Sequence, residues 1–370
     1  MKKYGCLKGR LMSRKKMTLF MRGLLKKDRV KNDYFSEFVS RIVPARLDGR
    51  KVKKLMLSFP SKGCSHALSK FGPCTMCSYT ANSSFGKEID EQKLNNFVKR
   101  ILEKYSKNKP QIIELLSCGS FLDENEMPSA VAKNILKGVS KQSYCKKIII
   151  ETRPEYVNSG KIKMIFDIIG ERMLEVRMGL ESADDFVRNY CINKNTSKND
   201  YEKAVKVLKK FGNARIFVYC LIKPPFLNEK EAIVESINTV KYAFSIGADT
   251  VSLKPLAIHP NTLVSVLAKK NLFKPPWLWS VVEVIKDSKK YGEVVVGSFF
   301  ESPAGSLPSN CKKCSQRVTK ALFRHNISQD FDELKRLDCD CKKVWEREIN
   351  SLRLNKPLGK KAFEDFFKTD

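Results

Sequence analysis

The sequence predicts an α/β fold: a partial (β/α)6 barrel over residues 51–300, a basic N-terminal extension over 1–50 and a small metal-stapled unit over 301–370. Three observations lead there. From Val52 onward, short apolar β-type runs alternate with helical periodicity, the pattern of β–α units around a parallel sheet. Polar and glycine-rich segments follow those runs, where a parallel sheet places its ligand loops. Four cysteines, Cys311, Cys314, Cys339 and Cys341, sit near the end of the chain in a stretch without long apolar strands.

The extension comes first. Residues 1–54 hold 18 Lys or Arg and four Asp or Glu, in clusters such as Arg14-Lys15-Lys16. Leu24-Leu25 and Phe35-Ser36-Glu37-Phe38-Val39 interrupt the charge, so part of this leader is expected to form amphipathic helix while its extreme end stays mobile. Without lipidation signals, a phosphate backbone is a better partner for it than lipid.

Strands are expected at 54–59, 112–116, 147–151, 174–178, 216–221 and 250–253, with a seventh at 293–296. Between them, Leu94, Phe97, Val98, Ile101, Leu102 and Tyr105 follow helical spacing, and further helices are expected over 164–169, 201–211 and 232–244. Gly212 and Gly247 stand where helix stops belong. Six units suit a partial barrel rather than a closed eight-stranded one. The loops after the strands carry Cys64, Cys74 and Cys77; Ser117-Cys118-Gly119-Ser120; Glu151-Thr152-Arg153-Pro154; Gly179-Leu180-Glu181-Ser182; Lys223-Pro224-Pro225; and Lys254-Pro255 with His259 beyond. Six such loops at one mouth would make one site.

Composition narrows the function. With 70 Lys and Arg against 40 Asp and Glu the net charge is +30, and 42% of residues are apolar, which excludes global disorder and points to an anionic partner, above all nucleic acid. No uncharged apolar run reaches spanning length and no secretory signal opens the chain, so a cytoplasmic protein with no membrane association is expected. Twelve cysteines in such a chain argue for metal or cluster ligation rather than disulfides.

Cys64, Cys74 and Cys77 form C-x9-C-x2-C in a loop rich in Gly, Ser and Pro. Structural zinc with His66 as fourth ligand is one reading, and a cubane iron–sulfur cluster with one iron open to a small molecule is the other. Position after the first barrel strand favours the cluster. Cys311-x2-Cys314 and Cys339-x-Cys341 instead make a closed set of four, for which zinc ranks ahead of a second iron–sulfur cluster or plain buried thiols. Cys6, Cys118, Cys145, Cys191 and Cys220 show no ligand spacing and are expected to be small buried hydrophobes.

The first cysteine loop resembles the cluster loop of radical S-adenosylmethionine (SAM) enzymes, in the long-spaced form of the Elongator-like tRNA-modifying branch. Ser120-Phe121-Leu122-Asp123, Glu151-Thr152-Arg153-Pro154-Glu155, Gly179-Leu180-Glu181-Ser182, Ile192-Asn193-Lys194, Leu221-Ile222-Lys223-Pro224-Pro225-Phe226 and Pro275-Pro276-Trp277-Leu278-Trp279-Ser280 resemble a narrower family, the radical SAM subunit of archaeosine synthase, over roughly residues 55–347. The resemblance implies a radical SAM partial barrel with a 4Fe-4S cluster on Cys64, Cys74 and Cys77. It implies SAM contacts from Met76, Gly119, Ser120, Glu151, Arg153 and Glu181, with Gly119-Ser120 at the methionyl group, Arg153 at its carboxylate, Glu181 at the ribose and Met76 at the adenine. The implied substrate is tRNA bearing a lysine adduct of 7-deazaguanine at D-arm position 15. The implied activity is that of a lyase cutting a carbon–nitrogen bond in the adduct to give archaeosine, beside a lysine-transferring partner subunit and with an electron donor left unidentified.

Lys223, Lys254 and His259 are candidates to meet the amino-acid end of that substrate, and Trp277 or Trp279 to stack on a displaced base, although the apolar Leu278 and Val281-Val282 around them favour a core role for at least one of the two. The alternatives are another Elongator-like enzyme acting elsewhere on tRNA, and a noncatalytic zinc-containing RNA-binding protein. Residues 305–310, Gly305-Ser306-Leu307-Pro308-Ser309-Asn310, depart from the Arg-Gly and His-bearing approach of the resembled family.

Overall fold

In the computed structural model the described residues are 2–25, 38–297 and 307–368, with side chains from residue 14 onward. The leader residues 35–37 and the departing residues 305–306 lie outside them. In chain order the strands are β1 (Arg41–Leu47), β2 (Arg50–Ser58), β3 (Ile112–Leu116), β4 (Lys147–Glu151), β5 (Met173–Glu181), β6 (Ala214–Ile222), β7 (Thr250–Pro255) and β8 (Glu293–Val296). The helices are α1 (Lys2–Leu25), α2 (Ser65–Leu68), α3 (Glu91–Tyr105), α4 (Ser129–Ser140), α5 (Ser159–Ile169), α6 (Lys198–Leu208), α7 (Glu229–Ile246), α8 (Leu263–Lys269), α9 (Leu278–Ser288), α10 (Ser315–Ser328), α11 (Asp332–Lys335), α12 (Asp340–Ser351) and α13 (Lys360–Lys368).

All eight strands form one sheet in sequence order. From β2 to β8 every pairing is parallel, so the six expected strands and the seventh are all present. The eighth strand is β1, antiparallel to β2 and inside the segment expected to be only an extension. Its cause is the Asp48-Gly49 turn: Leu47 pairs with Arg50, and φ is +48° at Asp48 and +74° at Gly49, the left-handed pair that a two-residue hairpin requires. Pro44, which has no N–H to give, is tolerated because β1 is an edge. Gly247 does cap α7 in the left-handed region, whereas α6 already ends at Leu208, short of Gly212.

The sheet curls far enough for Arg46 on β1 and Glu293 on β8 to form an ion pair at 2.6 Å, although the two edge strands do not pair. Alternation along the strands divides its faces. One set, including Leu55, Leu57, Ile113, Leu115, Ile148 and Ile150, is buried against the helices as the main core. Burying each such side chain contributes roughly 1.5–3 kcal/mol, which fixes the strand register. The opposite parity is charged: Lys54, Glu114, Lys147, Glu175, Arg177, Tyr219 and Lys254 belong to the inner face.

A second core lies at the C-terminal ends of the strands and explains the leader. Met17, Met21 and Leu24 of α1 are buried there with Phe226, Phe363, Phe366 and Phe367, so α1 packs on α13. Part of the leader is thus helical, as expected, and its residues 17–24 dock on the body of the protein. Arg14 also donates to Asn195 Oδ1 at 2.7 Å. The last helix, α13, packs with α1, while α10 to α12 carry the four C-terminal cysteines and pack on the main core. No helix among the described residues is long and apolar enough to cross a membrane.

Candidate active site and metal centre

Cys64 precedes the single turn of α2, and Cys74 and Cys77 follow on the same loop, so all three leave β2 at its C-terminal end. They sense one another: Cys77 is raised by the charges of Cys74 and Cys64, and Cys64 by that of Cys74. Burial is the larger cause, lifting Cys64 to about 11 and Cys74 and Cys77 upward as well. A ligand that takes these thiols as thiolates must therefore displace protons and supply positive charge. The protein begins that compensation with Arg153, beside Cys64 and Cys74, and Lys194, beside Cys74 and Cys77.

The loop is shaped from outside. Asn193 Nδ2 donates to the carbonyls of Phe71 and Pro73, each at 2.8 Å, and its own carbonyl accepts from His66 Nε2 at 2.8 Å. Thr75 donates its N–H to Ile192 O at 2.9 Å and its hydroxyl to Cys191 O at 2.8 Å. Val264 at the start of α8 donates to Thr75 O. The Ile192-Asn193-Lys194 segment is thus a brace for the cysteine loop. His66 is committed to it, and burial followed by the Arg153 charge lowers its pKa to about 3, so it is a neutral N–H donor in the brace.

Gly119 and Ser120 lie against the same loop, through a residue the sequence did not reveal. Glu126 accepts from Ser65 N at 2.7 Å and from Ser120 N, joining the first cysteine to the β3 loop. A Cβ at Gly119 would lie 1.7 Å from Glu126 Oε2 and 3.0 Å from the Cys64 Cα, so glycine is required for this packing. Burial lifts the Glu126 carboxyl to about 8 even though both backbone donors favour its charge. The Ser120 hydroxyl accepts from Arg153 N at 3.2 Å. The Arg153 guanidinium pairs with Glu155 at 2.6 Å and donates to the carbonyls of Lys194 and Asn195 at 2.9 and 3.3 Å. Glu181, buried with φ of +65° at a bulge in β5, pairs with Lys194 at 3.0 Å. Met76 packs against the second core.

Below this rim the inner face forms a ladder of charge. Glu114 holds Lys54 at 2.6 Å and Arg177; Glu175 holds Arg177 at 2.7 Å and Lys147. Nearer the strand ends, the Tyr219 hydroxyl donates to Glu151 and lies 3.5 Å from Arg177 Nη1. The Lys254 ammonium sits 4.5 Å from the centre of the Tyr219 ring, and among the described residues no carboxylate reaches ion-pair distance of it. Burial lowers its pKa, opposed by the Glu151 charge. The other two candidates are placed differently. Lys223 pairs at 2.7 Å with the buried Glu229, and His259 lies beside the Tyr79 ring, centroids 6.3 Å apart.

The second cysteine group is compact. Cys311, Cys314, Cys339 and Cys341 have all their sulfurs within 4.8 Å of one another, with separations of 3.7 Å for Cys311–Cys314, 3.6 Å for Cys311–Cys339 and 3.4 Å for Cys314–Cys341. A tetrahedron of thiolates around one ion with bonds of about 2.3 Å has edges of roughly 3.8 Å. Cys314 and Cys339 stand at the N-terminal caps of α10 and α12, where helix ends favour anions. Trp279 Nε1 donates to Cys341 Sγ at 3.3 Å, Trp277 Nε1 to Glu348 at 3.0 Å and Trp345 Nε1 to Ser280 at 2.9 Å. Trp279 is buried, as the core reading expects, and both Trp277 and Trp279 fasten this unit to α9. Cys118, Cys145, Cys191 and Cys220 are buried, as expected; Cys6 lies where no side chain is described.

A curled, largely parallel sheet with three thiols on the loop after β2, and a separate helical unit closed by four more, defines an α/β half-barrel protein with two independent thiol centres. Over 316 residues the chain is 31% identical to the archaeosine synthase subunit beta of Methanosarcina acetivorans, covering 84% of this chain and 90% of that one. Over 305 residues it is 30% identical to the archaeosine synthase subunit beta of Thermococcus kodakarensis, covering 80% and 92%. The chain belongs to the archaeosine synthase subunit beta family. No family model matches it. Among solved structures, Elp3 of the archaeon Methanocaldococcus infernus aligns with a TM-score of 0.46 and 19% identity, over 64% of this chain and 60% of that one.

Proposed function

We propose that this protein is a radical SAM enzyme of tRNA modification, a lyase that cuts a carbon–nitrogen bond in the lysine adduct of 7-deazaguanine at D-arm position 15 to give archaeosine. The observation that carries this reading is that Cys64, Cys74 and Cys77 share the one loop leaving β2 at the C-terminal ends of the parallel strands, braced there by Asn193, by Thr75 and by Glu126. Three half-buried thiols on one loop at the mouth of the barrel suit a 4Fe-4S cluster that keeps one iron for SAM. The cluster and SAM together supply one-electron cleavage and hydrogen abstraction. Cys64, Cys74 and Cys77 would hold the cluster; Arg153 and Lys194 offset its charge; Met76, Gly119, Ser120, Glu151 and Glu181 line the approach to SAM.

For the amino-acid end of the substrate, Lys254 fits better than Lys223 or His259. Its ammonium and the Glu151 carboxylate offer opposite charges to a zwitterion, whereas the Lys223 charge is already spent on Glu229. Zinc fits the C-terminal quartet, whose sulfur spacing matches one ion. The +30 charge suits tRNA, and the subunit names of the relatives suit a partner subunit, for which we propose the lysine-transferring one, in the cytoplasm.

The test is anaerobic incubation of iron-loaded protein with lysine-adduct tRNA, SAM and a strong reductant, followed by mass analysis of nucleosides. Loss of the lysine carbon skeleton is expected only when SAM is present. Intact adduct, with 5′-deoxyadenosine formed, would move the protein to another substrate; colourless protein that binds only zinc would leave the noncatalytic reading.

A further inference from the structure

Tyr79 lies two residues beyond Cys77 and is 56% exposed, while the residues around it are fixed. Thr80 is buried, Ala81 N donates to Ser78 O at 3.0 Å, and Asn82 O accepts from the Cys118 thiol at 3.4 Å. The ring therefore projects from a rigid base. Beside it, at 6.3 Å and an interplanar angle of 46°, is the His259 ring, from the loop after β7, whose carbonyl accepts from the Thr262 hydroxyl at 2.7 Å. Two aromatic rings from loops near opposite edges of the sheet thus meet at the C-terminal rim, five residues along the chain from Lys254. Trp277 and Trp279 are both bonded into the C-terminal unit, which removes them as platforms.

We infer that Tyr79, backed by His259, is a stacking platform for one base of the RNA substrate, next to the nucleotide whose modified group enters the barrel. The inference rests on the reading of tRNA as substrate. Every base offers a π face, so an exposed ring held rigidly at the mouth of the barrel binds a splayed nucleotide without reading its identity. His259 serves this contact rather than the amino-acid end of the adduct. The excess charge holds the phosphates at long range, and the ring pair sets where along the strand the chain is gripped.

Tyr79→Leu and Tyr79→Phe test this on full-length, cluster-loaded protein, with tRNA affinity measured across a salt series and thermal unfolding as the control for folding. Tyr79→Leu is expected to weaken tRNA binding roughly 5- to 100-fold, the loss that removal of one base–aromatic stack brings. The slope of log affinity against log salt is expected to stay unchanged, because no phosphate contact is lost. Tyr79→Phe is expected to bind within about twofold of the unaltered protein. A second measurement alters the RNA: abasic substitutions scanned through the D-arm are expected to show one position, beside the target, with a comparable loss that adds nothing further in Tyr79→Leu. Leucine binding as tightly as tyrosine, a shallower salt slope, or a flat abasic profile would each overturn the platform. Unaltered protein with no salt-dependent tRNA affinity would instead overturn the substrate reading on which it rests.

Discussion

The two cysteine centres are built on opposite plans. Cys311, Cys314, Cys339 and Cys341 come from two helix starts and hold one another, their mutual hydrogen bonds lowering Cys311 to about 7 against the effect of burial while Cys314 and Cys339 are raised. Cys64, Cys74 and Cys77 sit on an irregular loop that is positioned by the Cys191–Lys194 strip, by Glu126 and by α8, and burial there keeps the thiols protonated. A closed centre can be local because its four ligands complete the shell and staple a unit too small for a large core. An open centre has a missing corner, so its geometry must come from the surrounding fold.

The largest effect that would sharpen this contrast is Cys74→Ser. It is expected to abolish iron binding and SAM cleavage completely while the C-terminal quartet still takes up its metal, measured by metal analysis of both. Loss of metal from both centres together would break the distinction. Next comes Cys341→Ser, expected to release the C-terminal metal and destabilise its unit by more than the ~1 kcal/mol of a typical point substitution. Trp277, Trp279 and Trp345 are the chain's three tryptophans and all lie at that unit, so their emission reports it, with iron at the first centre retained.

Acid separates the two regions. Burial alone would raise the Glu114 carboxyl, but Arg177 and Lys54 bring it down to about 2 from an ordinary 4.5. Its stabilisation is complete above pH 4.5 and is lost as pH falls toward 2, a change of roughly 3 kcal/mol. Thiolate ligands take up protons at higher pH, so tryptophan emission is expected to shift before far-UV circular dichroism records loss of the sheet. Glu114→Gln is expected to flatten the acid limb of the sheet's stability curve alone. The smallest effect is expected from Asn193→Ala, which deprives the Phe71 and Pro73 carbonyls of their donor at a cost of about 2 kcal/mol. Faster iron loss from the first centre with the quartet unaffected is the result to look for.

Much of the barrel was legible because its parallel strands are apolar toward the helices and end in polar turns, which is why β2 to β8 fall where periodicity puts them. β1 escaped notice although Asp48-Gly49 is a strong hairpin signal, since the lysines around it look like a solvated leader. The docking of α1 was hidden for the same reason: Met17, Met21 and Leu24 find their apolar partners on α13, more than three hundred residues away. At the sites, cysteine spacing marked all seven ligand candidates. Glu126 was invisible because Asp123-Glu124-Asn125-Glu126 resembles an exposed acidic turn, and only the third dimension buries one of its carboxyls against Ser65 and Ser120. Around Trp277 and Trp279 the apolar Leu278 and Val281-Val282 signalled a core role for at least one, which Trp279 has.

The ion pairs that fill the inner face around Glu114 and Arg177 give the barrel a floor and make it a cup rather than a tunnel. A group entering from the strand ends meets Tyr219 and Lys254 before it reaches that floor, so the depth at which a substrate's end comes to rest is set by side chains of the sheet and not by the loops that carry the thiols.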